Sequence, residues 1–188
     1  MQCKFQSLLK ETSRAGISDL LTFIERETDF YSAPASTLYH GAYEGGLLAH
    51  SLAVYENLAK LDMLFGLDLN PDSVRICGLL HDICKINFYK RGYRNRKNDI
   101  TGIWEKVDTF EVDDKFPLGH GEKSVIILQR FLSLSDEEVM AIRWHMGGFD
   151  DAVQGYGSSR TLSNAMLRSP LVTAIHMADL ASCYFQRV

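Results

Sequence analysis

The sequence is short of cysteine and proline, and it contains no long apolar run. Its 188 residues include four cysteines, at positions 3, 77, 84 and 183, with no Cys-x-x-Cys pair among them. This spacing excludes a disulfide scaffold, and we expect reduced, mostly buried thiols. No apolar run approaches the roughly 18 residues of a membrane-spanning helix, and the first ten residues lack the apolar core of a signal peptide. The sequence therefore predicts a cytoplasmic protein without a membrane partner.

An excess of basic residues is also absent. Twenty Lys and Arg stand against 24 Asp and Glu, which gives a formal net charge of -4. Proteins that bind duplex nucleic acid or anionic membranes usually carry the opposite imbalance. Hydrophobic residues make up 46% of the chain, which is enough for one domain with its own core. Because no repeat or long linker divides the sequence, we expect 1–188 to form a single domain, with 1–38 as an N-terminal helical extension packed on it.

The spacing of the apolar residues predicts a mainly helical chain. Asn70-Pro71 is typical of a helix start, and Ser135-Asp-Glu-Glu138 has the pattern of a capping box. Residues 86–118 favour a small β-hairpin-like insertion, whereas the small polar residues of 148–168 predict a loop. The expected fold class is all-α, a helical bundle with that insertion. The predicted helices cover about 4–12, 17–27, 46–65, 72–84, 121–133, 135–145 and 171–185.

Histidine carries the chemical signal of this sequence. The pair His81-Asp82 interrupts an otherwise apolar segment that is predicted to be helical. Unpaired polar groups are costly to bury, so these two side chains need partners. A transition-metal ion such as Mn, Fe, Ni or Zn would supply them. A single histidine in such a place is more often a hydrogen-bonded core residue, so the whole set of histidines and its order decide.

The histidines and aspartates occur in a characteristic order along the chain. This order resembles the HD superfamily of metal-dependent phosphohydrolases, defined by His … His-Asp … Asp on a helical bundle. The resemblance runs from about Tyr39 to Leu180, and the stretch from Tyr39 to His50 is also similar to the HD domain of certain bacterial 3′–5′ exoribonucleases. The motif residues are His50 in Glu-Gly-Gly-Leu-Leu-Ala-His, His81-Asp82 followed by Lys85, His120 in Pro-Leu-Gly-His-Gly-Glu-Lys-Ser, His145 in Ile-Arg-Trp-His-Met-Gly-Gly, and Asp179 in His-Met-Ala-Asp.

The resemblance implies a site with two divalent transition-metal ions (Mn, Fe, Ni or Zn). It implies that a first ion is held by His50, His81, Asp82 and Asp179. A second would be held by His120 and His145, with Asp82 as the bridging ligand. The expected function is hydrolysis of a phosphomonoester or phosphodiester by a metal-activated hydroxide, in a nucleotide or a short oligonucleotide. The resemblance also implies that Asp82 and Lys85 are the catalytic residues. The lysine of the family that matches Lys85 approaches the scissile phosphate.

Several further residues are candidates for contacts with the substrate: Lys85, His40, His176, Arg94 and Arg160. Arg94 belongs to the basic run 90–97, which is interleaved with Tyr93 and follows Tyr89. This run could bind phosphates or a short single strand of nucleic acid, or it could be the solvated face of a hairpin. Cys84 stands where the family often has glycine, and it is either a core thiol or an oxidisable neighbour of the metals.

Two other functions stay open at this point. Some HD-like sites with two irons catalyse oxygenation of small polyols or phosphonates, and the ligand set here overlaps theirs. A regulatory module could also bind a nucleotide without turning it over, although such proteins typically lack one or more of the ligands.

Overall fold

Eight α-helices pack around one apolar core in the part of the chain that the computed structural model describes, residues 1–38, 41–154 and 158–187. Two β-strands form an antiparallel hairpin between the fourth and fifth helices. This architecture confirms the predicted all-α class with a small β insertion. The helices are α1 Gln2–Lys10, α2 Ile17–Glu27, α3 Gly46–Phe65, α4 Pro71–Leu80, α5 His120–Leu128, α6 Asp136–Trp144, α7 Ser158–Arg168 and α8 Pro170–Ala181, and the strands are β1 Tyr89–Lys97 and β2 Trp104–Val112.

Close helix packing brings the histidine-bearing segments together. Helix α3 packs against α4 and α8, and α6 packs against α5 and α8. Gly78 of α4 lies so close to the backbone of Tyr55 in α3 that a Cβ atom at this position would overlap it. Gly121 of α5 lies in the same way against the carbonyl group of Arg143 in α6. Glycine at these two positions therefore allows backbone contacts that a larger residue would prevent.

Two predicted helix starts are confirmed in atomic detail. The Asn70 side chain accepts hydrogen bonds from the backbone N–H groups of Asp72 and Ser73, with Pro71 as the first helical residue of α4. Ser135 and Glu138 form the reciprocal capping box that the sequence predicts at the start of α6. Both arrangements satisfy backbone donors that a helix leaves unpaired at its first turn.

Two predictions of secondary structure were wrong. The predicted helix 72–84 ends at Leu80, and a single 3-10 turn, Ile83–Lys85, follows the His81-Asp82 pair. The predicted loop 148–168 contains α7, which buries Leu162 and Ala165 in the core. These two residues are three apart, on one face of a helix, and the many serines around them hide this short apolar stripe. The start of α8 after Ser169 is as predicted.

The hairpin confirms the insertion predicted around 86–118. Its register pairs Tyr89 with Val112 at one end and Lys97 with Trp104 at the other. At the other end of the chain, Phe5 of α1 and Leu20 of α2 are fully buried in the common core. No helix within the described residues is long and apolar enough to cross a membrane.

Candidate metal centre

Two helix ends orient two of the predicted metal ligands. His81 and His145 directly follow the last residues of α4 and α6. His81 Nδ1 lies 3.1 Å from the carbonyl oxygen of Gly78, and His145 Nδ1 lies 2.7 Å from that of Ile142. Because a carbonyl oxygen only accepts, Nδ1 carries the proton and donates it in both cases. The two Nε2 atoms are therefore acceptors whenever the rings are neutral, which is the state that binds metals.

His50, from the first turns of α3, meets His81 and Asp179 in the core. Its Nε2 atom lies 3.2 Å from His81 Nε2 and 3.2 Å from Asp179 Oδ1. On the other side of the ring, His50 Nδ1 lies 3.0 Å from the Ser182 hydroxyl. Three helices thus bring two imidazole nitrogens and a carboxylate oxygen to one buried point.

Asp82 lies between two pairs of imidazole rings. Its Oδ2 atom is 3.5 Å from His50 Nε2 and 3.6 Å from His81 Nε2. Its Oδ1 atom is 2.7 Å from His120 Nε2 and 3.4 Å from His145 Nε2. Asp82 has left the helical conformation, with φ −102° and ψ 18°. Each of its two oxygens can therefore face a different pair.

The donor set of this cluster fits a metal ion. His145 Nε2 is buried and has no hydrogen-bond partner among the described residues. Such a group is costly in a protein interior unless something satisfies it. Neutral imidazoles and carboxylates are the ligands that Mn, Fe, Ni and Zn accept, and hydrogen bonds from Nδ1 to carbonyl groups are the usual support for ligating histidines. Four groups have ligand atoms within 4.8 Å of one another: His50, His81 and Asp82; His81, His145 and Asp179; Asp82, His120 and His145; and His50, Asp179 and Cys183.

Burial and the neighbouring charges favour a neutral His81, a protonated His120 and ionised aspartates. Burial lowers the pKa of His81 to about 3. Burial raises the pKa of Asp82, but Lys85 and the neighbouring His81 and His120 together hold that pKa well below its usual range. Asp179 behaves in the same way, with the hydrogen bond to His50 lowering its pKa. Burial lowers the pKa of His120, but the adjacent Cys84 and Asp82 raise it to about 10.

The family model described as "HD domain" matches residues 47–181, which is more than half of the chain. The chain belongs to the HD domain family. The matched range contains each predicted metal ligand. It also contains the hairpin, which is an insertion within this HD domain rather than an addition to it.

Two curated proteins are similar to parts of this HD domain. The dihydroneopterin 2′,3′-cyclic phosphate phosphodiesterase of Methanocaldococcus jannaschii is 36% identical over 85 residues, 43% of this chain and 31% of that protein. A symmetrical bis(5′-nucleosyl)-tetraphosphatase of Staphylococcus aureus is 30% identical over 105 residues, 53% of this chain and 47% of that protein. The alignments thus span less than half the length of these relatives. Neither is named an exoribonuclease, so that finer resemblance stays a prediction. No solved structure gives a significant match.

Lys85 contacts Asp82, but not by the helical spacing that the sequence suggests. Its Nζ atom lies 2.6 Å from Asp82 Oδ2. Lys85 follows His81 by four residues, which would be one turn of a continued helix, but α4 ends at Leu80 instead of continuing to 84 as predicted. The 3-10 turn Ile83–Lys85 directs the ammonium group back to the carboxylate instead.

A cleft with a volume of about 680 Å³ opens beside the metal cluster of the HD domain. Lys85 and the predicted substrate residue His176 are both in its wall. His176 Nδ1 donates to the carbonyl oxygen of His145 at 2.7 Å, and the His176 ring packs against Gly147. No local sequence pattern marks the other residues that line the cleft, and motif analysis missed most of them. These residues are Ala35, Ser36, Tyr89, Met146, Phe149, Leu180, Cys183, Tyr184 and Arg187.

Two candidate substrate residues, Arg94 and Arg160, are not brought to the cluster. Arg94 lines a separate cavity, together with Thr37 and Leu38. Arg160 is exposed on α7 and is not among the residues that line the cleft. His40 lies outside the described residues. In the basic run, Arg91 forms an ion pair with Glu44 at 2.8 Å and Lys90 one with Glu111 at 4.0 Å, so acidic neighbours compensate part of its charge.

Cysteines border the cluster on two sides. Cys84 is buried, and its Sγ atom lies 3.4 Å from His120 Nδ1. Cys183 donates from its thiol to Asp179 Oδ1 at 3.5 Å. Burial, together with the charge of Asp179, raises the pKa of the Cys183 thiol. The cysteines of the chain are free, as the sequence predicts.

Proposed function

We propose that this HD domain is a metal-dependent phosphohydrolase. Its substrate would be a phosphomonoester or phosphodiester of a nucleotide or short oligonucleotide. The main support is the position of Asp82 between two pairs of imidazole rings, a donor set suited to two metal ions. The relatives support the reaction class, because one is named a phosphodiesterase and the other a tetraphosphatase.

In this proposal the four buried groups His50, His81, Asp82 and Asp179 hold a first ion. His120 and His145 hold a second, and Asp82 is shared. The ions would be divalent Mn, Fe, Ni or Zn, and when bound they would supply an activated water and neutralise charge on the phosphoryl oxygens.

The chain itself would keep this site organised. The Nδ1 bonds of His81 and His145 to backbone carbonyls fix the ring orientation before any ligand arrives. Asp82 stays ionised in the buried site because Lys85 and the neighbouring imidazole rings together lower its pKa. Fixed polar groups of this kind need little reorganisation during a reaction, which is the main advantage of a preorganised site.

Lys85 would stabilise negative charge on the phosphoryl group. Its ammonium group lines the cleft and lies beside Asp82. A cation held at this place can interact more strongly with a phosphoryl oxygen as charge builds up there in the transition state. His176 would contact the substrate from the wall of the same cleft, with its Nδ1 already bonded to the His145 carbonyl.

Metal content and phosphate-ester hydrolysis test the proposal together. The chain is stripped with a chelator, reloaded separately with each candidate metal and dialysed, and its metal content and hydrolysis of a nucleotide panel are measured. We expect about two ions per chain and metal-dependent hydrolysis, both lost in Asp82→Ala. The variant Asp99→Ala removes an exposed carboxylate of the hairpin loop and serves as the control. Full hydrolysis by metal-loaded Asp82→Ala would overturn the proposal, and nucleotide binding without hydrolysis would favour a regulatory module.

A further variant tests the assignment of two ions. His145→Ala removes a proposed ligand of the second ion, whose Nε2 atom lies 3.4 Å from Asp82 Oδ1. We expect it to keep about one ion and to lose most of the hydrolysis. Retention of both ions would show that His145 is not a ligand.

A further inference from the structure

A second cavity meets the cleft at the metal cluster. This side cavity has a volume of about 380 Å³. Its wall and that of the cleft share four residues: Lys85, His120, Met146 and Phe149. Lys85 and His120 are also the residues whose nitrogen atoms lie closest to the two oxygens of Asp82. The two cavities therefore meet where the proposed function puts the reacting phosphate.

The cleft suits a planar heterocycle. Three aromatic rings, those of Tyr89, Phe149 and Tyr184, are in its wall. Phe149 is 60% exposed and Tyr184 is 65% exposed, although both are large apolar side chains. Exposed aromatic rings beside a phosphate site are the usual platform on which nucleobases stack. Arg187 adds a cation to the same wall.

The wall of the side cavity combines apolar side chains with four carboxylates, those of Asp114, Glu122, Asp150 and Asp151. Three of its carboxylates are each paired with a cation: Asp114 with Lys123 at 2.5 Å, Asp150 with Arg143 at 2.6 Å, and Glu122 with Arg143 at 2.5 Å. Paired carboxylates repel a ligand less than free ones do, and their oxygens can still accept hydrogen bonds. This wall suits an uncharged group that carries hydroxyls, such as a sugar.

From these two cavities we infer that the substrate is a nucleoside phosphodiester. One ester group, with its base, lies in the cleft, and the other, polar and uncharged, lies in the side cavity. This inference rests on the proposed function. A phosphomonoester has a single ester group and would leave one of the two cavities unused. Hydrolysis adds one water across one P–O ester bond, so the products are an alcohol and a phosphomonoester.

Filling the side cavity tests this inference. Leu118 lines the side cavity but not the cleft, and it is 43% exposed, so Leu118→Trp adds volume there without disturbing the core. Leu167→Trp is the matched control, because Leu167 is 87% exposed on α7 and lines neither cavity. The substrates are the diester uridylyl-(3′→5′)-uridine and the monoester uridine 5′-monophosphate, and kcat/KM is measured on the metal-loaded full chain by chromatography of the products.

We expect the unmodified chain to prefer the diester. Leu118→Trp should lower its kcat/KM for the diester by about tenfold, a typical effect of losing a pocket contact, and should change the value for the monoester less than about twofold. Tyr184→Ala should lower kcat/KM for both substrates, since both carry a base. A preference for the monoester, or an equal effect of Leu118→Trp on the two substrates, would overturn the inference and leave the proposed function intact. Hydrolysis of neither substrate would overturn the proposed function, and the inference with it.

Discussion

The Lys85 ammonium group lies 2.6 Å from Asp82 Oδ2, and both side chains are largely buried. This ion pair connects the 3-10 turn between α4 and β1 with the centre of the candidate metal site. Asp82 is surrounded by four imidazole rings, which are neutral when they bind metals, so Lys85 is the fixed cation nearest to this carboxylate among the described residues. Experiment can therefore separate two roles of Lys85: the support of Asp82 and the stabilisation of a reacting phosphate.

The substitution Lys85→Met separates these roles. Methionine keeps the length and apolar stem of the side chain but removes the charge. We expect bound metal to be unchanged or tighter, because a cation no longer competes for Asp82, and we expect kcat to fall about 100-fold, a typical loss for one charge-stabilising group. Elemental analysis and steady-state kinetics measure the two effects. Lys60→Met, on α3, is the control. Loss of metal together with activity would assign Lys85 a purely structural role.

Removal of the metals should lower the stability of the fold. Within the described parts of the chain, His145 Nε2 has no hydrogen-bond partner, and His50 Nε2 lies 3.2 Å from His81 Nε2. A ligand that binds only the folded chain stabilises it by about 2.7 kcal/mol at 100 times its Kd. For a chain of this size we expect chelation to lower the thermal midpoint by about 5–10 °C, as measured by circular dichroism. Asp82→Ala should show no such response. An equal midpoint with and without metal would count against a metal site in the core.

The fold was predictable where local signals are strong. The bounds Ile17–Glu27 and Gly46–Phe65 agree with the predicted helices, and the capping box at Ser135 marks its helix correctly. Helix α7 was missed because Leu162 and Ala165 are the only buried residues among its described side chains, 159–168. A serine-rich sequence with so few core positions gives no clear periodicity, and its helical state depends on packing against α6 and α8.

The site was predictable in its residues but not in its arrangement. The order of histidines and aspartates indicates the family, but it does not say which imidazole faces which oxygen of Asp82. That depends on the end of α4 at Leu80 and on contacts between residues far apart in sequence, such as those of His50 with Asp179. The aromatic wall of the cleft follows no local pattern either, since Phe149 and Tyr184 come from separate turns.

A second ion pair joins a fully buried carboxylate to a partly exposed arginine, includes none of the proposed ligands, and should control stability alone. Glu138 is fully buried and accepts hydrogen bonds from Arg14 at 2.5 Å and from Ser73 at 2.7 Å. Arg14→Leu would leave this carboxylate without its cation, and we expect a loss of about 3 kcal/mol in the free energy of unfolding. Urea denaturation measures the loss, and Arg26→Leu, at an exposed position of α2, is the control.

The double variant of this pair provides a sharper comparison. Glu138→Gln removes the charge that Arg14→Leu leaves uncompensated, so the double variant should be more stable than the Arg14→Leu single variant. Metal content should be unchanged in each of these variants. Additive losses in the double variant would show that the two side chains do not act as a pair.

Two adjacent glycines near the cleft give a matched pair of substitutions. Gly147 has φ +55°, and a Cβ atom there would overlap the imidazole ring of His176. Gly148 has no atom within 4 Å of the same position, and its φ is not in the left-handed region. We expect Gly147→Ala to lower the free energy of unfolding by about 1–3 kcal/mol, the cost of holding alanine in a left-handed conformation, and to weaken substrate binding by displacing His176. Gly148→Ala should change neither quantity. Urea denaturation and KM measure the two effects, and equal behaviour of the two variants would show that neither the backbone conformation at Gly147 nor its contact with His176 matters.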